Sequence, residues 1–246
     1  MKAIQTSWGA AKGGHSQPPL MWQLSLHFLR RTFGRVELYA DAPGRAYAEG
    51  AGLVYDAIHE LPPPHPGLER VWSVGKLLAA SRQNEPFLHV DGDAFVRQLP
   101  QPAPFIVQNL EHWHENGDFY RWWDAVPFRP VPGAPIVSWC FGIFGGTAFE
   151  QIAGACGQAV DFLAEHADEM KTLLNSQPQA PLLASILVEQ VWVPMILKQA
   201  GIEPTPYLDS ARMWDSAVEK QFFHAMDGKR SAIVQEQIQA LARNTL

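Results

Sequence analysis

The sequence predicts an α/β fold, a mostly parallel sheet flanked by helices. Three observations carry that expectation. Up to about residue 95, short apolar runs alternate with segments of helical period, the pattern of a parallel sheet with crossover helices. One run, Phe-Leu-His-Val at 87–90, delivers two carboxylates, Asp91 and Asp93, straight after it. Open α/β sheets hold ligands at the carboxyl ends of their strands. Finally, 246 residues of which 47% are apolar and 18% charged suffice for a sizeable core and exclude a disordered chain.

Taken in order, residues 3–6 form a first strand, and a loop over 7–19 with Gly9, Gly13 and Gly14 follows it. Residues 20–33 place apolar side chains on one face and stop at Gly34, as a helix does. Val36, Leu38 and Ala40 alternate with Glu37 and Tyr39 as a second strand closed by Asp41, and 53–55 is a short third strand. A Pro-rich connection over 61–67 leads to a helix over 68–82 and then to the strand 87–90. Between about 98 and 135 prolines and aromatics (Trp113, Tyr120, Trp122, Trp123) replace periodicity, which predicts an irregular insertion. A strand over 136–144, turned by Gly145-Gly146, resumes the pattern, and helices follow at 148–166, 181–200 and 231–243. The chain reads as a single domain, 1–246, with no repeats.

Charge and cysteine content narrow the function. Nineteen Lys+Arg against 25 Asp+Glu give a net charge of −6, which argues against duplex nucleic acid as a partner. A nucleotide ligand stays open, because a bound divalent ion supplies positive charge locally. Two cysteines, Cys140 and Cys156, make neither a disulfide framework nor a Cys-rich zinc site. The polar, Gly-rich opening lacks the apolar core of a signal peptide, and the apolar stretch 180–200 is interrupted by Glu189-Gln190 and Pro194. The expectation is a cytoplasmic protein without a membrane span.

Asp91-Gly92-Asp93 carries the sharpest chemistry. Two carboxylates at the mouth of a parallel sheet suit Mg²⁺ or Mn²⁺, with substrate phosphates completing the shell. Gly92 is expected to let the backbone turn between them. The tripeptide alone equally describes a strand-end turn; the apolar residues on both sides favour a ligand role. Glu111, His112, Trp113 and His114 lack the ligand number and spacing of a zinc site.

An apolar strand followed by Asp-x-Asp resembles the metal motif of nucleotide-sugar glycosyltransferases of the Rossmann-like GT-A fold, in particular the glycogenin-like ones. Val-Trp-Ser-Val-Gly-Lys at 71–76 is similar to the segment whose Lys, here Lys76, contacts the nucleotide sugar. Ser-Trp-Cys-Phe-Gly-Ile-Phe-Gly-Gly at 138–146 resembles the Asn-x-Gly strand bordering the donor sugar, with Cys140 where an Asn is common. Glu189-Gln190 resembles the Asp-Gln pair beside the reacting sugar. Phe-Phe-His-Ala-Met-Asp-Gly-Lys at 222–229 is similar to the C-terminal His…Gly…Lys signature, at an altered spacing. These landmarks follow the family order over residues 3–229. The string 72–95, with Val107-Gln-Asn-Leu-Glu111 after it, also resembles an uncharacterised bacterial group of this type.

The resemblance implies a metal-dependent glycosyltransferase using a nucleotide-diphosphate sugar, a UDP-sugar, with Mn²⁺ or Mg²⁺ on Asp91, Asp93 and His224. It implies donor contacts from Lys76, Lys229, Gly145 and Gly146, with Glu189 or Gln190 at the reacting face and retention at the anomeric carbon. Thr6, Ser7 and Trp8 end the first strand, where that fold holds the base. Trp8 either stacks on the base or packs in the core. Asp41 either meets uracil or closes a turn, and Lys76 is either a donor contact or a solvated helix residue. His224 is either the third metal ligand or an ordinary histidine in a helix running from Met213. Trp113, Trp122 and Trp123 either line an acceptor cleft or fill the insertion's core; the acceptor is unknown. Two rivals remain: a non-catalytic binding protein docking through the Trp-rich insertion, and a haloacid-dehalogenase-type phosphatase. The second ranks lower, because that family usually places Asp-x-Asp near the start of its domain, before Gly-Thr, whereas Ala94-Phe95 follows here.

Overall fold

The structure, a computed structural model, describes residues 1–8, 19–63, 65–111, 121–225, 232–243 and 245. It is a mixed α/β fold around a seven-stranded, mostly parallel sheet. Strands β1 (Lys2–Ser7), β2 (Val36–Ala40), β3 (Ala57–Glu60) and β4 (Phe87–Val90) run parallel. Strand β5 (Ala94–Val96) leaves this sheet, β6 (Ile106–Leu110) and β7 (Trp139–Gly146) return to it, and β8 (Thr205–Pro206) lies at its far edge. The order is β3-β2-β1-β4-β7-β6-β8, with β7 antiparallel to both β4 and β6. A final strand, β9 (Phe222–His224), pairs with β5 alone.

The helices cover both faces. In chain order they are α1 (Pro19–Thr32), α2 (Ala42–Gly50), α3 (Ser73–Ser81), α4 (Phe149–Glu165), α5 (Ala167–Leu174) and α6 (Ala180–Ile186). A π-helical turn over Leu187–Trp192 joins α6 to α7 (Val193–Gln199); α8 (Met213–Glu219) and α9 (Ala232–Arg243) follow. The run Ala180–Gln199 is long and apolar enough to cross a membrane by length and composition, but 78% of its apolar window is buried inside the protein. All four residues of β4 are buried, as expected for a central strand covered on both faces.

Several boundaries differ from the sequence reading. The third strand is 57–60, not 53–55: Leu53 N–H instead caps α2 through Ala48 O, and Ala-Ile-His-Glu is a half-exposed edge strand without an apolar run. The insertion over 98–135 is less irregular than expected, since it contains β6, an inner strand of the sheet. Helix α3 starts at Ser73, later than the predicted residue 68. Gly145 and Gly146 do not turn the chain; they end β7, opposite Leu88 and Phe87.

Candidate active site

The carboxyl end of β4 is built around a buried ammonium. Strand β4 presents Asp91 at the sheet edge, with its N–H bonded to Gly142 O of β7 at 2.9 Å. Beneath it, Lys76 of α3 directs its Nζ to Asp91 Oδ1 (2.9 Å), Glu189 Oε2 (3.0 Å) and Phe141 O (3.1 Å). The ammonium also donates to Asp91 Oδ2 at 3.2 Å, so its hydrogen bonds go to Asp91 and Phe141 O while Glu189 pairs with its charge. Lys76 is 4% exposed and Glu189 1%. Burial on its own disfavours the Lys76 charge; attraction to Asp91 and Glu189 outweighs it and raises the pKa. Burial also raises Glu189, to about 7, against the pull of Lys76, and it raises Asp91, where repulsion from Asp93 adds to the effect. His89, buried on the same strand, has its pKa held well below the ordinary value by burial and by Lys76. It is therefore neutral, with Nε2 3.0 Å from Thr6 Oγ1 and Nδ1 3.7 Å from Asp91 Oδ1.

The turn carrying the two acids is held from below by a polar relay. Tyr55 Oη donates to Gln5 Oε1, Gln5 Nε2 to Ser25 Oγ, and Ser25 Oγ to Ala94 O at 2.7 Å. The backbone does turn tightly there, closed by Ala94 N–H on Asp91 O at 3.0 Å, although Gly92 does not sit at positive φ. A Cβ there would lie 2.4 Å from the Trp22 ring, so the glycine is required by close packing on α1.

Strand pairing then brings in the C-terminus. Helix α8 ends at Glu219, the chain turns through Gln221 at φ 51°, and β9 pairs with β5 so that Ala94 faces His224. His224 is thus a strand residue, not part of a helix running from Met213. Its Nε2 lies 3.3 Å from Asp93 Oδ1. One donor atom from each of Asp91, Asp93 and His224 falls within 4.8 Å of the others. Asp91, Asp93 and Glu189 bring three carboxyl groups to this end of the sheet, a concentration of negative charge that a divalent cation would offset. Two carboxylate oxygens and an imidazole nitrogen suit Mn²⁺ or Mg²⁺, so the residues fit such an ion.

Thr6, Ser7, Trp8 and Asp41 lie at the same edge of the sheet, on the ends of β1 and β2. Trp8 is 8% exposed, gives its indole N–H to Pro62 O and covers Gly75, which makes it a core residue. Asp41 is the N-cap of α2, accepting from Gly44 N–H at 2.9 Å. Gln190 is half-buried, between Glu189 and Ser138. Gly145 and Gly146 do not join the site: β7 runs antiparallel to β4, so they lie at the opposite sheet edge from Asp91. A Cβ on either would strike a backbone carbonyl oxygen, that of Phe87 at 2.1 Å or Pro104 at 2.2 Å. Trp122 and Trp123 are 8% and 1% exposed, with their indole N–H groups on Ser176 Oγ and Leu183 O, so neither offers a face to an acceptor. Lys229 and Trp113 lie outside the described residues.

Sequence reasoning missed His89 although it left a trace, a polar residue within an apolar strand. It quoted Gly142 without a role; a Cβ there would meet His224 Nδ1 at 2.5 Å. Cys140 is buried beside Glu111, and burial followed by that carboxylate pushes its thiol well above the ordinary pKa.

A family described as one of unknown function, DUF6734, matches residues 1–243. No curated protein matches the chain. Solved structures that match include mouse xyloside xylosyltransferase 1 in its apo form, at 9% identity and a TM-score of 0.46, covering 93% of this chain and 98% of that one. By the match along nearly its whole length, the chain belongs to the family of unknown function DUF6734.

Proposed function

We propose that the chain transfers a glycosyl group from a nucleotide-diphosphate sugar, a UDP-sugar, to an acceptor hydroxyl, with Mn²⁺ or Mg²⁺ held by Asp91, Asp93 and His224. The observation that carries this reading is the convergence of those three donor groups at the carboxyl end of β4, directly above the buried Lys76. The family landmarks that resemble a GT-A transferase are scattered along the sequence, and Lys76, Asp91, Asp93, Glu189 and His224 belong to one contact network.

When bound, the divalent ion supplies the Lewis acid that takes up charge on the departing diphosphate. The chain's own residues do the rest. Asp91 and Asp93, with His224, would hold that ion, and Lys76, with Lys229, adds positive charge where the leaving group becomes more negative. Glu189 lies under Lys76 and fixes the ammonium; Gln190, more exposed, borders the reacting sugar. Trp8 and Asp41 form the floor beside the base, and Thr6 holds His89 in place.

The test is thermal unfolding with UDP, GDP or dTDP, each with and without Mn²⁺. UDP with Mn²⁺ together should raise the melting temperature, by the equivalent of about 2.7 kcal/mol at a hundredfold excess over Kd, and either alone much less. Asp91→Asn and Asp93→Asn should abolish the joint effect. No shift at millimolar nucleotide, or the same shift in both variants, would refute the reading. Mn²⁺-dependent hydrolysis of the UDP-sugar then separates an enzyme from a binding protein.

A further inference from the structure

We propose that Gln108 is a positioning residue for His224: its side-chain oxygen takes the Nδ1 proton of the imidazole and so directs the Nε2 lone pair at the metal position. This rests on the metal reading above. Two buried polar atoms carry it. Gln108 is 2% exposed and its Oε1 has no hydrogen-bond partner, and the same is true of His224 Nδ1. Both converge on one point above Gly142, where a Cβ would lie 2.2 Å from Gln108 Oε1 and 2.5 Å from His224 Nδ1. An acceptor and a potential N–H donor, each otherwise unmatched, thus face one another across a glycine. Left unpaired in the interior, each would forgo hydration with nothing in exchange.

The orientation of the Gln108 amide is not arbitrary. Asn109 Nδ2 donates to Leu110 O at 3.0 Å, and a backbone carbonyl only accepts. That fixes Asn109 Oδ1 as the acceptor for Gln108 Nε2, also at 3.0 Å. Rotating the Gln108 amide would oppose two oxygens, so Oε1 is left to face His224. Consecutive strand residues normally point to opposite faces. The register irregularity between Val107 and Asn109 lets these two side chains meet, and bulges of this kind re-aim side chains beside active sites. The relay runs from Leu110 O through Asn109 and Gln108 to Nδ1. On the other side of the ring, Nε2 faces Asp93 Oδ1 at 3.3 Å. A ligating histidine commonly donates its second N–H to such a partner, and losing that partner costs about 10–100-fold in metal affinity.

The experiment measures Mn²⁺ affinity of the full chain, without nucleotide, by the electron paramagnetic resonance of free Mn²⁺. The proteins are the parent, Gln108→Leu, Gln108→Glu, His224→Ala and the double variant His224→Ala/Gln108→Leu. Circular dichroism and melting of each metal-free protein check the fold. Gln108→Leu should weaken binding about 10–100-fold. Gln108→Glu, which keeps an oxygen toward Nδ1 but sets its other oxygen against Asn109 Oδ1, should retain clearly more affinity than Gln108→Leu. In the His224→Ala background, Gln108→Leu should cost nothing further, because it acts through the ring. Parent-like binding by Gln108→Leu overturns the proposal, as does a Glu variant as weak as the Leu variant. A Leu penalty that persists without His224 overturns it as well. Parent-like binding by His224→Ala is a different result: there the metal reading fails and this inference goes with it.

Discussion

Replacing Lys76 with Met keeps the unbranched apolar stem and removes the ammonium, which isolates the electrostatics of the site. The ammonium contacts Asp91, Glu189 and Phe141 O and is 4% exposed, so its loss leaves two carboxylates and a carbonyl without their partner in the interior. Breaking a buried ion pair from one side costs about 3–5 kcal/mol. For a chain of this size that lowers Tm by roughly 6–20 °C. The loss should depend on pH, with a definite sign. Glu189 has its pKa raised from 4.5 to about 7 in the fold, and Asp91 is raised too. The folded state therefore holds more protons than the unfolded one above pH 4.5, and these groups reduce stability as pH climbs toward about 7. Lys76 lowers both pKa values, so without it the window extends above 7 and the decline is steeper. Lys76 itself, raised above 10.5, contributes evenly throughout this range.

The assay is urea or thermal unfolding of parent and Lys76→Met between about pH 5 and pH 8.5. The gap between the two should narrow toward the acid end, where Glu189 is protonated, and be widest at the alkaline end. Lys76→Met/Glu189→Gln should recover much of the loss, since an amide needs no counter-charge. A gap independent of pH, or a double variant no more stable than the single one, would refute the electrostatic account.

Three other outcomes follow from the same geometry. Gly142→Ala drives a methyl against His224 and Gln108 Oε1, so Mn²⁺ binding measured by titration calorimetry should fall at least tenfold, with overpacking costing about 1–3 kcal/mol. Gly145→Ala, at φ 151° and against Phe87 O, should cost at least about 2 kcal/mol in urea unfolding yet leave the Mn²⁺ affinity of the folded protein unchanged. Cys140 and Cys156 are buried with raised thiol pKa values, so a disulfide reagent at about pH 8 should label neither until the protein is unfolded in urea.

How far the sequence reveals this site depends on the range of the interactions. The central strand was legible in Phe-Leu-His-Val because a strand buried on both faces must be apolar throughout, and the paired aspartates follow it directly. Helix α1 was legible from its periodicity, and Gly34 follows its end. The edge strand β3 was not, because half-exposed Ala-Ile-His-Glu carries neither an apolar run nor a clean alternation. Gly145-Gly146 read as a turn because glycine pairs usually are one; here they answer to backbone packed from the neighbouring strands, which no local window contains. His224 could be named only by family resemblance, since its proximity to Asp93 arises from the β5–β9 pairing. Gly142 belongs to the same class: its signal is close packing against a ring that the chain reaches far downstream.

The distances also assign each acid a separate place in the charge balance. Lys76 donates to Asp91 and Phe141 O and pairs with the charge of Glu189. Asp93 is instead approached by His224, an imidazole delivered by the C-terminal strand pair. The side chain of Asp91 is 22% exposed, against 5% for Asp93 and 1% for Glu189. Asp91 is therefore the shared carboxylate: Lys76 Nζ reaches both of its oxygens, at 2.9 and 3.2 Å, yet its side chain is the most exposed of these three acids. A cation arriving from water would meet Asp91 first and Asp93 in the same turn, and would reach a nitrogen only through the β5–β9 pairing. The proposed metal site so understood has two halves of different origin, a strand end preset by α3 and a histidine that depends on the last strand being docked. Loosening β9 should thus cost the site its third ligand while leaving the Lys76–Asp91–Glu189 network intact.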